Sequence, residues 1–301
     1  MKQRANRRLR ESRDDAIFGV INVALLGVIA LVIIYPLIFV VSASFSDAIS
    51  VTTGRVYLWP VKPTFESYAQ VFNNKNIMRG YSNSLIILGM GTAINLIMTT
   101  LCAFPLSRRD VWGRNLFMMI ITFTMFFSGG MIPMYLLVTK TLALKNNWLS
   151  LILPGAISTY NMIIMRTFIS TSIPYELQEA AQIDGCTPFG TLLRIILPLS
   201  GPILAVLALY YGVSHWNAYF SALLYIQDRS KYPLQLFLRE ILVKNMMQML
   251  EMASDEVARQ AMRAEVIKYS IIVISSVPML VVYPFVQRFF VKGVMVGSVK
   301  G

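Results

Sequence analysis

Between Ile17 and Val41 runs a stretch of 25 residues whose only strongly polar member is Asn22. At about 1.5 Å per helical residue it is longer than the roughly 30 Å hydrocarbon core of a bilayer, so it predicts a membrane-crossing helix. A cleaved secretory signal is the competing reading, because basic residues precede the run and Ser42, Ala43 and Ser44 follow it. The apolar core of such a signal is only about 7 to 15 residues, well short of this one. Five more apolar segments follow at about Ser84 to Leu106, Asn115 to Val138, Trp148 to Phe168, Leu199 to Ile226 and Tyr269 to Val291. Each is interrupted by Gly, Pro, Ser or Asn, with charge only near an end at Arg166 and Arg288, and Pro36, Pro133, Pro202 and Pro278 are expected to kink their helices. Neighbouring helices and hydroxyl side chains can satisfy the backbone groups that such prolines free. The pattern predicts an all-α polytopic membrane protein of six transmembrane helices.

Composition agrees: 56% of the 301 residues are hydrophobic and 14% charged, with mean hydropathy +0.60. A water-soluble enzyme could not hide that much apolar surface. Orientation follows from the short charged segments. Lys2, Arg4, Arg7, Arg8, Arg10 and Arg13 crowd the N-terminus, and Arg108, Arg109 and Arg114 follow the second span. Both are expected in the cytosol, so six spans return both termini there. The expected organisation is a basic cytoplasmic tail at 1–15, a six-span domain at 16–291 and a cytoplasmic tail at 292–301. External connections are expected at about 42–83 and 227–268, and a cytoplasmic loop at about 170–198. The net charge of +12 is spread over both faces, and the one dense basic run adjoins the first span, so contact with anionic lipid accounts for it better than nucleic acid.

Apart from His215, no Asp, Glu, Lys, Arg or His lies well inside an apolar segment. Proton-driven transporters need intramembrane carboxylates or histidines, and voltage sensors need buried arginines, so energy is expected to enter elsewhere. No G-x-x-x-x-G-K-[ST] occurs, so nothing in the chain cradles a nucleotide phosphate. No histidine pair, C-x-x-C or hydrolase elbow offers metal binding or catalysis. The two cysteines, Cys102 in an apolar segment and Cys186 in a loop expected in the cytosol, do not suggest a disulfide.

The stretch from Ser172 to Pro198 parses as helix, tight turn, helix. Pro174 suits a first helical position, and Glu176 and Glu179 favour the positive end of the helix dipole. Gly185 falls where a left-handed cap belongs, and Thr187-Pro188 restarts a helix that climbs to Pro198. On the first helix Leu177, Ala180, Ala181 and Asp184 share one narrow face. That face either receives another protein's surface or packs on this chain's own helix ends.

Glu179-Ala180-Ala181, three residues, Gly185, nine residues, then Ile195-x-Leu197-Pro198 resembles the EAA loop in permease subunits of ATP-binding-cassette importers. The resemblance extends along most of the chain and is nearest the carbohydrate permeases, in particular the maltose-type second permease and its complex-oligosaccharide subgroup. Trp59-Pro60, Pro63 through Tyr68, and Trp216-Asn217 are similar to segments of that group. It implies a type I importer permease fold in a bacterial cytoplasmic membrane, with the EAA loop as a coupling helix seated in a partner ATPase. Glu179, Ala180, Ala181, Asp184, Gly185, Leu197 and Pro198 would make that contact. Gly297, Val299, Lys300 and Gly301 would belong to a tail reaching between two ATPase subunits.

The implied partners are a second permease, two ATPases that bind the ATP and magnesium, an extracytoplasmic solute-binding protein, and membrane lipid. No cofactor is expected on this chain, which is not itself an enzyme. The outer segment from Tyr232 to Leu242 is similar to the loop that probes the binding protein's cleft. It is followed by Met246, Met247, Met249 and Met252, suited to a partner surface or to the membrane interface. Saccharides are held by aromatic faces and by amide or hydroxyl groups, so Asn95, Asn161, Tyr210, Tyr211, His215, Trp216 and Asn217 are candidates for a substrate path, although the same residues serve as interhelical glue. An amino-acid or peptide importer and an ATP-independent channel are the alternatives.

Overall fold

The computed structural model describes residues 13–250 and 255–298, and among them every regular element is a helix. The chain opens with α1 (Arg13–Ser44), the short α2 (Ala48–Thr52) and α3 (Glu66–Asn73), and the long α4 (Lys75–Ser107). Then come α5 (Arg114–Phe123), α6 (Met131–Leu136) with a π turn at Leu137–Thr141, α7 (Leu149–Ile152) with a 3-10 turn at Leu153–Gly155, and α8 (Thr159–Ser172). The loop helices α9 (Glu176–Ile183) and α10 (Pro188–Thr191) lead through a π turn at Leu192–Ile196 into α11 (Leu197–Leu199) and α12 (Gly201–Asn217). Last are α13 (Phe220–Tyr225), α14 (Leu234–Leu250) and α15 (Asp255–Ser298).

Three single helical stretches among the described residues are long and apolar enough to cross a membrane: Ile17–Ser44, Lys75–Ser107 and Ala264–Phe285. A fourth is a pair, Pro188–Leu199 and Gly201–Asn217, bent by 82° at Ser200. The third and fourth apolar segments are not single helices. Gly129 and Gly130 separate α5 from α6, with Gly130 at φ +86. Pro154 sits in the 3-10 turn that divides α7 from α8. α5 already ends at Phe123 and Gly130 stands as the N-cap of α6, so the break is a seven-residue stretch that the hydropathy pattern does not register.

Several boundaries also move. The Asn74 side chain accepts from the backbone N–H of Asn76 and Ile77, starting α4 at Lys75, well before the expected end of the first outer connection. The second outer connection is largely helical, and α15 already begins at Asp255. At the other end α15 runs on to Ser298, so Gly297 lies within a helix, whereas Val299, Lys300 and Gly301 fall outside the described residues. Met252 and the basic residues from Lys2 to Arg10 lie outside them too; Met246, Met247 and Met249 sit on the backbone of α14.

The chain divides into two compact units, one comprising residues up to Gln70 and 248–273, the other 71–247 and 274 onward. In the first, a run of hydroxyls fixes the chain after α1. Ser42 Oγ donates to Leu58 O at 2.7 Å, Ser46 Oγ donates to Ser42 O at 2.7 Å and accepts from Val61 N at 3.0 Å, and Ser270 Oγ donates to Ser67 Oγ at 2.8 Å. Ala43, Val51, Val56 and Val266 form the apolar cluster beside them. Along α1 itself the apolar side chains stay exposed, Phe18 at 70%, Val23 at 72% and Leu31 at 70%, as a lipid- or protein-facing helix requires.

In the second unit α4 is the central element. Its buried stripe runs Ile77, Gly80, Asn83, Ser84, Ile87, Gly91, Asn95 and Thr99 to Phe104, steps of three and four that keep one helix face inward. Ala103, Phe104 and Leu106 from α4 meet Met162, Met165 and Ile169 from α8, Leu192 and Ile196 from the π turn, and Leu207 and Tyr211 from α12.

Candidate functional site

The loop between α8 and α12 folds by local rules. The carbonyls of Pro174 and Tyr175 accept from Leu177 N and Gln178 N, a tight entry turn, so α9 begins at Glu176 and Pro174 stands just outside it. Its C-terminus is a Schellman motif: Cys186 N donates to Ala181 O at 2.8 Å and Gly185 N to Gln182 O at 3.0 Å, with Gly185 at φ +74. Thr187 Oγ1 then accepts from Gly190 N at 3.2 Å and Pro188 occupies the first turn of α10.

Of the residues expected on the coupling face, Glu179, Ala180, Asp184 and Gly185 are exposed, as is Pro198; Leu197 is half-buried. Ala181 instead turns inward together with Gln178, leaving Ala181 only 5% exposed. The outward face therefore consists of Leu177, Ala180 and Asp184 without Ala181. Two further apolar side chains stand out of the loop: Ile183 is 86% exposed and Phe189 60%. Neither lies on the small-residue face, and their signal in the sequence is an apolar residue on each side of the Asp184–Thr187 turn.

Arginines wrap the neighbouring end of α4. Arg166 Nε, from α8, donates to Leu106 O at 3.2 Å, and Arg114 Nη1, from α5, donates to Arg108 O at 2.8 Å. These cations satisfy terminal carbonyls where no basic residue of α4 does so. Arg108 is buried and pairs with Asp110 through Nε at 2.8 Å and Nη2 at 2.5 Å. That hydrogen bond holds the Asp110 carboxyl below the usual carboxylate range and raises the Arg108 guanidinium. The next residue, Arg109, lies over the Tyr175 ring at 4.9 Å, so the turn after α4 touches the entry to α9.

The polar residues proposed for a substrate path separate into two sets. Asn95 is fully buried; its Nδ2 donates to Gly155 O at 2.7 Å and Ala156 O at 3.0 Å. That fixes the amide orientation, so Oδ1 is the acceptor facing His215 Nε2 at 2.6 Å, and the histidine carries its proton on Nε2. Tyr211 OH bonds Thr99 Oγ1 at 2.7 Å and accepts from Ser158 N at 3.0 Å. Trp216 Nε1 donates to Ser275 O at 2.9 Å, and Tyr81 meets its ring edge-on at 5.6 Å. These residues tie α12 to α4, to the turn before α8 and to α15. Tyr210 is more open, Asn217 bonds back to Val213 O in its own helix at 3.0 Å, and Asn161 is buried in the first turn of α8. Among the described residues no group of three His, Cys, Asp or Glu could hold a metal ion.

Residues 225–237 are ordered by contacts that the hydropathy pattern does not contain. Asn146, at φ +58, accepts from Gln227 N at 3.2 Å and Asp228 N at 3.0 Å through Oδ1, and its own N–H donates to Tyr225 O at 2.8 Å. Trp148 Nε1 donates to Lys231 O at 3.0 Å. Asn146-Asn147 between two apolar runs was the available sign of a turn.

Residues 91–296 match the family described as the binding-protein-dependent transport system inner membrane component. The chain belongs to that family. Protein LplC of Bacillus subtilis strain 168 is 40% identical over 294 residues, covering 97% of this chain and 98% of that protein. The polygalacturonan/rhamnogalacturonan transport system permease protein YtcP of the same strain is 40% identical over 290 residues, 95% of this chain and 99% of that protein. Among solved structures, a chain of a bacterial ABC transporter involved in the import of the acidic polysaccharide alginate superposes with TM-score 0.83 at 35% identity, covering 94% of this chain and 99% of that one. This permease is thus a multi-pass inner-membrane transport subunit of the type I importer fold and not itself an enzyme.

Proposed function

We propose that this permease carries a sugar or oligosaccharide inward across the cytoplasmic membrane of a bacterium, driven by ATP hydrolysis in partner subunits. The observation that carries the reading is the exposed face of α9, ended by a left-handed Gly185, in a chain of this permease family. In that reading α9 seats in a groove of an ATPase subunit, and Leu177, Ile183 and Phe189 anchor it. The small side chain of Ala180 lets the groove wall approach the helix, while Glu179, Asp184, Leu197 and Pro198 complete the contact. A second permease, two ATPases and an external solute-binding protein complete the assembly. ATP and magnesium reside in the ATPases, and this chain holds no cofactor. Gly297, Val299, Lys300 and Gly301 are assigned in this reading to contact with the ATPase pair.

Six crossings supply the membrane domain: α1, α4, the 114–141 segment, the 149–172 segment, α12 and α15. Both termini and the 170–198 loop face the cytosol. Closure of the ATPases pushes α9, and the push reaches α12 through the packed helices, opening the path lined by Tyr210, Asn217 and the groups around His215. The acidic polysaccharide named for the alginate importer makes acidic oligosaccharides the first substrate class to test.

Affinity purification in mild detergent from the native membrane tests the assembly. One other permease, two ATPase copies and a solute-binding protein are expected with this chain. Recovery of the chain alone or only with itself rejects the reading in favour of a channel.

A further inference from the structure

The two ends of α4 hold the two segments that the proposed assembly places on opposite membrane faces. At its N-terminal end Asn83 Nδ2 donates to Ser230 O at 2.8 Å and Tyr232 O at 2.9 Å, and Ser84 Oγ accepts from Leu234 N at 2.8 Å. Both side chains are buried, Asn83 at 6% and Ser84 at 2% exposure, so these bonds are shielded from competing water. One turn earlier Gly80 leaves room for Phe237: a Cβ there would stand 2.6 Å from the ring and 3.3 Å from the Leu234 backbone. With Asn146 and Trp148 on the other side, 226–237 is fastened on a fixed base, and Gln227, Asp228, Arg229 and Ser230 are its exposed tip. At the C-terminal end Arg108 and Arg109 reach Asp110 and Tyr175, at the entry to α9. Between the two, Asn95 and Thr99 bond α12 through His215 and Tyr211.

A helix of 33 residues is about 50 Å long, enough to span the bilayer and stand clear of it. We infer that α4 is a single strut joining the outer 226–237 platform to the coupling turn, and that Asn83 and Ser84 are positioning residues through which a docked external protein governs the partner ATPases. The partner that fits the tip is a protein surface presenting a cation to the exposed Asp228, since Arg229 is already paired with Glu240 Oε2 at 2.7 Å. The inference rests on the proposed importer assembly.

Gly80 and Gly89 provide a matched pair, because a Cβ at Gly89 meets nothing within 4 Å whereas one at Gly80 collides with the platform. The assembled transporter, with its partner subunits in lipid nanodiscs, is assayed for ATPase rate with and without its solute-binding protein. Gly80→Ala and Asn83→Ala are expected to keep the basal rate and to lose about fivefold or more of the stimulation, the lower end of ordinary coupling between sites. Gly89→Ala should behave as wild type, and Asn83→Gln, which keeps the amide donors, should recover part of the loss. Full stimulation of Gly80→Ala and Asn83→Ala, or a parallel fall in their basal rate, overturns the strut. Absence of stimulation in the wild-type assembly instead overturns the importer reading beneath it.

Discussion

His215 Nε2 of α12 lies 2.6 Å from Asn95 Oδ1 of α4, and the imidazole rests against Gly91 so closely that a Cβ there would meet its ring at 2.6 Å to 2.8 Å. The contact needs both the missing side chain at 91 and the amide one turn on. Gly91→Ala is therefore expected to displace His215 and leave the Asn95 carbonyl oxygen buried without its donor, at a cost of about 1–3 kcal/mol. Gly89→Ala, two residues away, meets open space. Thermal denaturation of the two variants in detergent checks this: the Gly91 variant should melt earlier and transport poorly, the Gly89 variant should match wild type. Equal melting of all three would show that the histidine has room to move.

Asp110 is about half exposed while its partner Arg108 is buried, and Arg108 Nη1 has no partner among the described residues. Removing the carboxylate by Asp110→Asn is expected to destabilise by about 1–2 kcal/mol, less than for a wholly buried pair because water screens the Asp110 side. The sign of the pH dependence follows from the lowered Asp110 pKa. A carboxyl depressed by folding contributes stability above its unfolded pKa and loses it only as pH falls through the folded one. The wild-type minus Asp110→Asn difference in unfolding free energy should thus be flat from neutral pH down to the ordinary carboxylate range and vanish only below it. A difference that changes near neutrality would assign the effect to another group.

Gly185 adopts φ +74 with nothing within 4 Å of where its Cβ would be, so the objection to a side chain is conformational and not steric crowding by neighbours. An L-residue in this region costs about 1–2 kcal/mol, and a β-branched one more. Gly185→Val should insert in the membrane in normal amount yet lose ATP-driven uptake, while Gly185→Asn, which tolerates the left-handed region, should retain much of it. Uptake by whole cells and the amount of chain in the membrane fraction are the two readings. Full uptake by the valine variant would sink the coupling role.

Legibility of the chain tracked the range over which each feature is determined. The turn at Gly185 to Pro188 was readable because a left-handed glycine, an N-cap threonine and a first-turn proline each act within a few residues. The inward turn of Ala181 was not, since its burial, like that of Gln178, depends on what lies beneath α9 and not on spacing within it. Apolar runs gave the existence of α1 and α4, though α4 starts nine residues early, and hydropathy averages over 124–130 and Pro154, where the helices break. The polar candidates were legible as residues but not their partners: Asn95 pairs with backbone 60 residues away and His215 with a side chain 120 residues away, separations that no local pattern contains.

Ile183 and Phe189 are 86% and 60% exposed on a loop rich in Glu, Gln and Asp. Large apolar side chains left in water in this way mark a partner surface, and anchors seated in a desolvated pocket dominate binding. Because Ile183 stands almost clear of its own chain, Ile183→Asp should leave the melting temperature of the isolated permease unchanged, whereas Phe189 lines an apolar groove with Leu96 and Ile97 of α4, so Phe189→Asp should lower it slightly. Each should weaken ATPase retention by about 10- to 100-fold, the effect of roughly 1.4 to 3 kcal/mol at an interface. Titration of detergent-solubilised permease with purified ATPase subunit measures that affinity directly. Unchanged affinity in both variants would move the contact off the 176–189 segment, and a lowered melting temperature of the Ile183 variant would instead place that side chain in the fold.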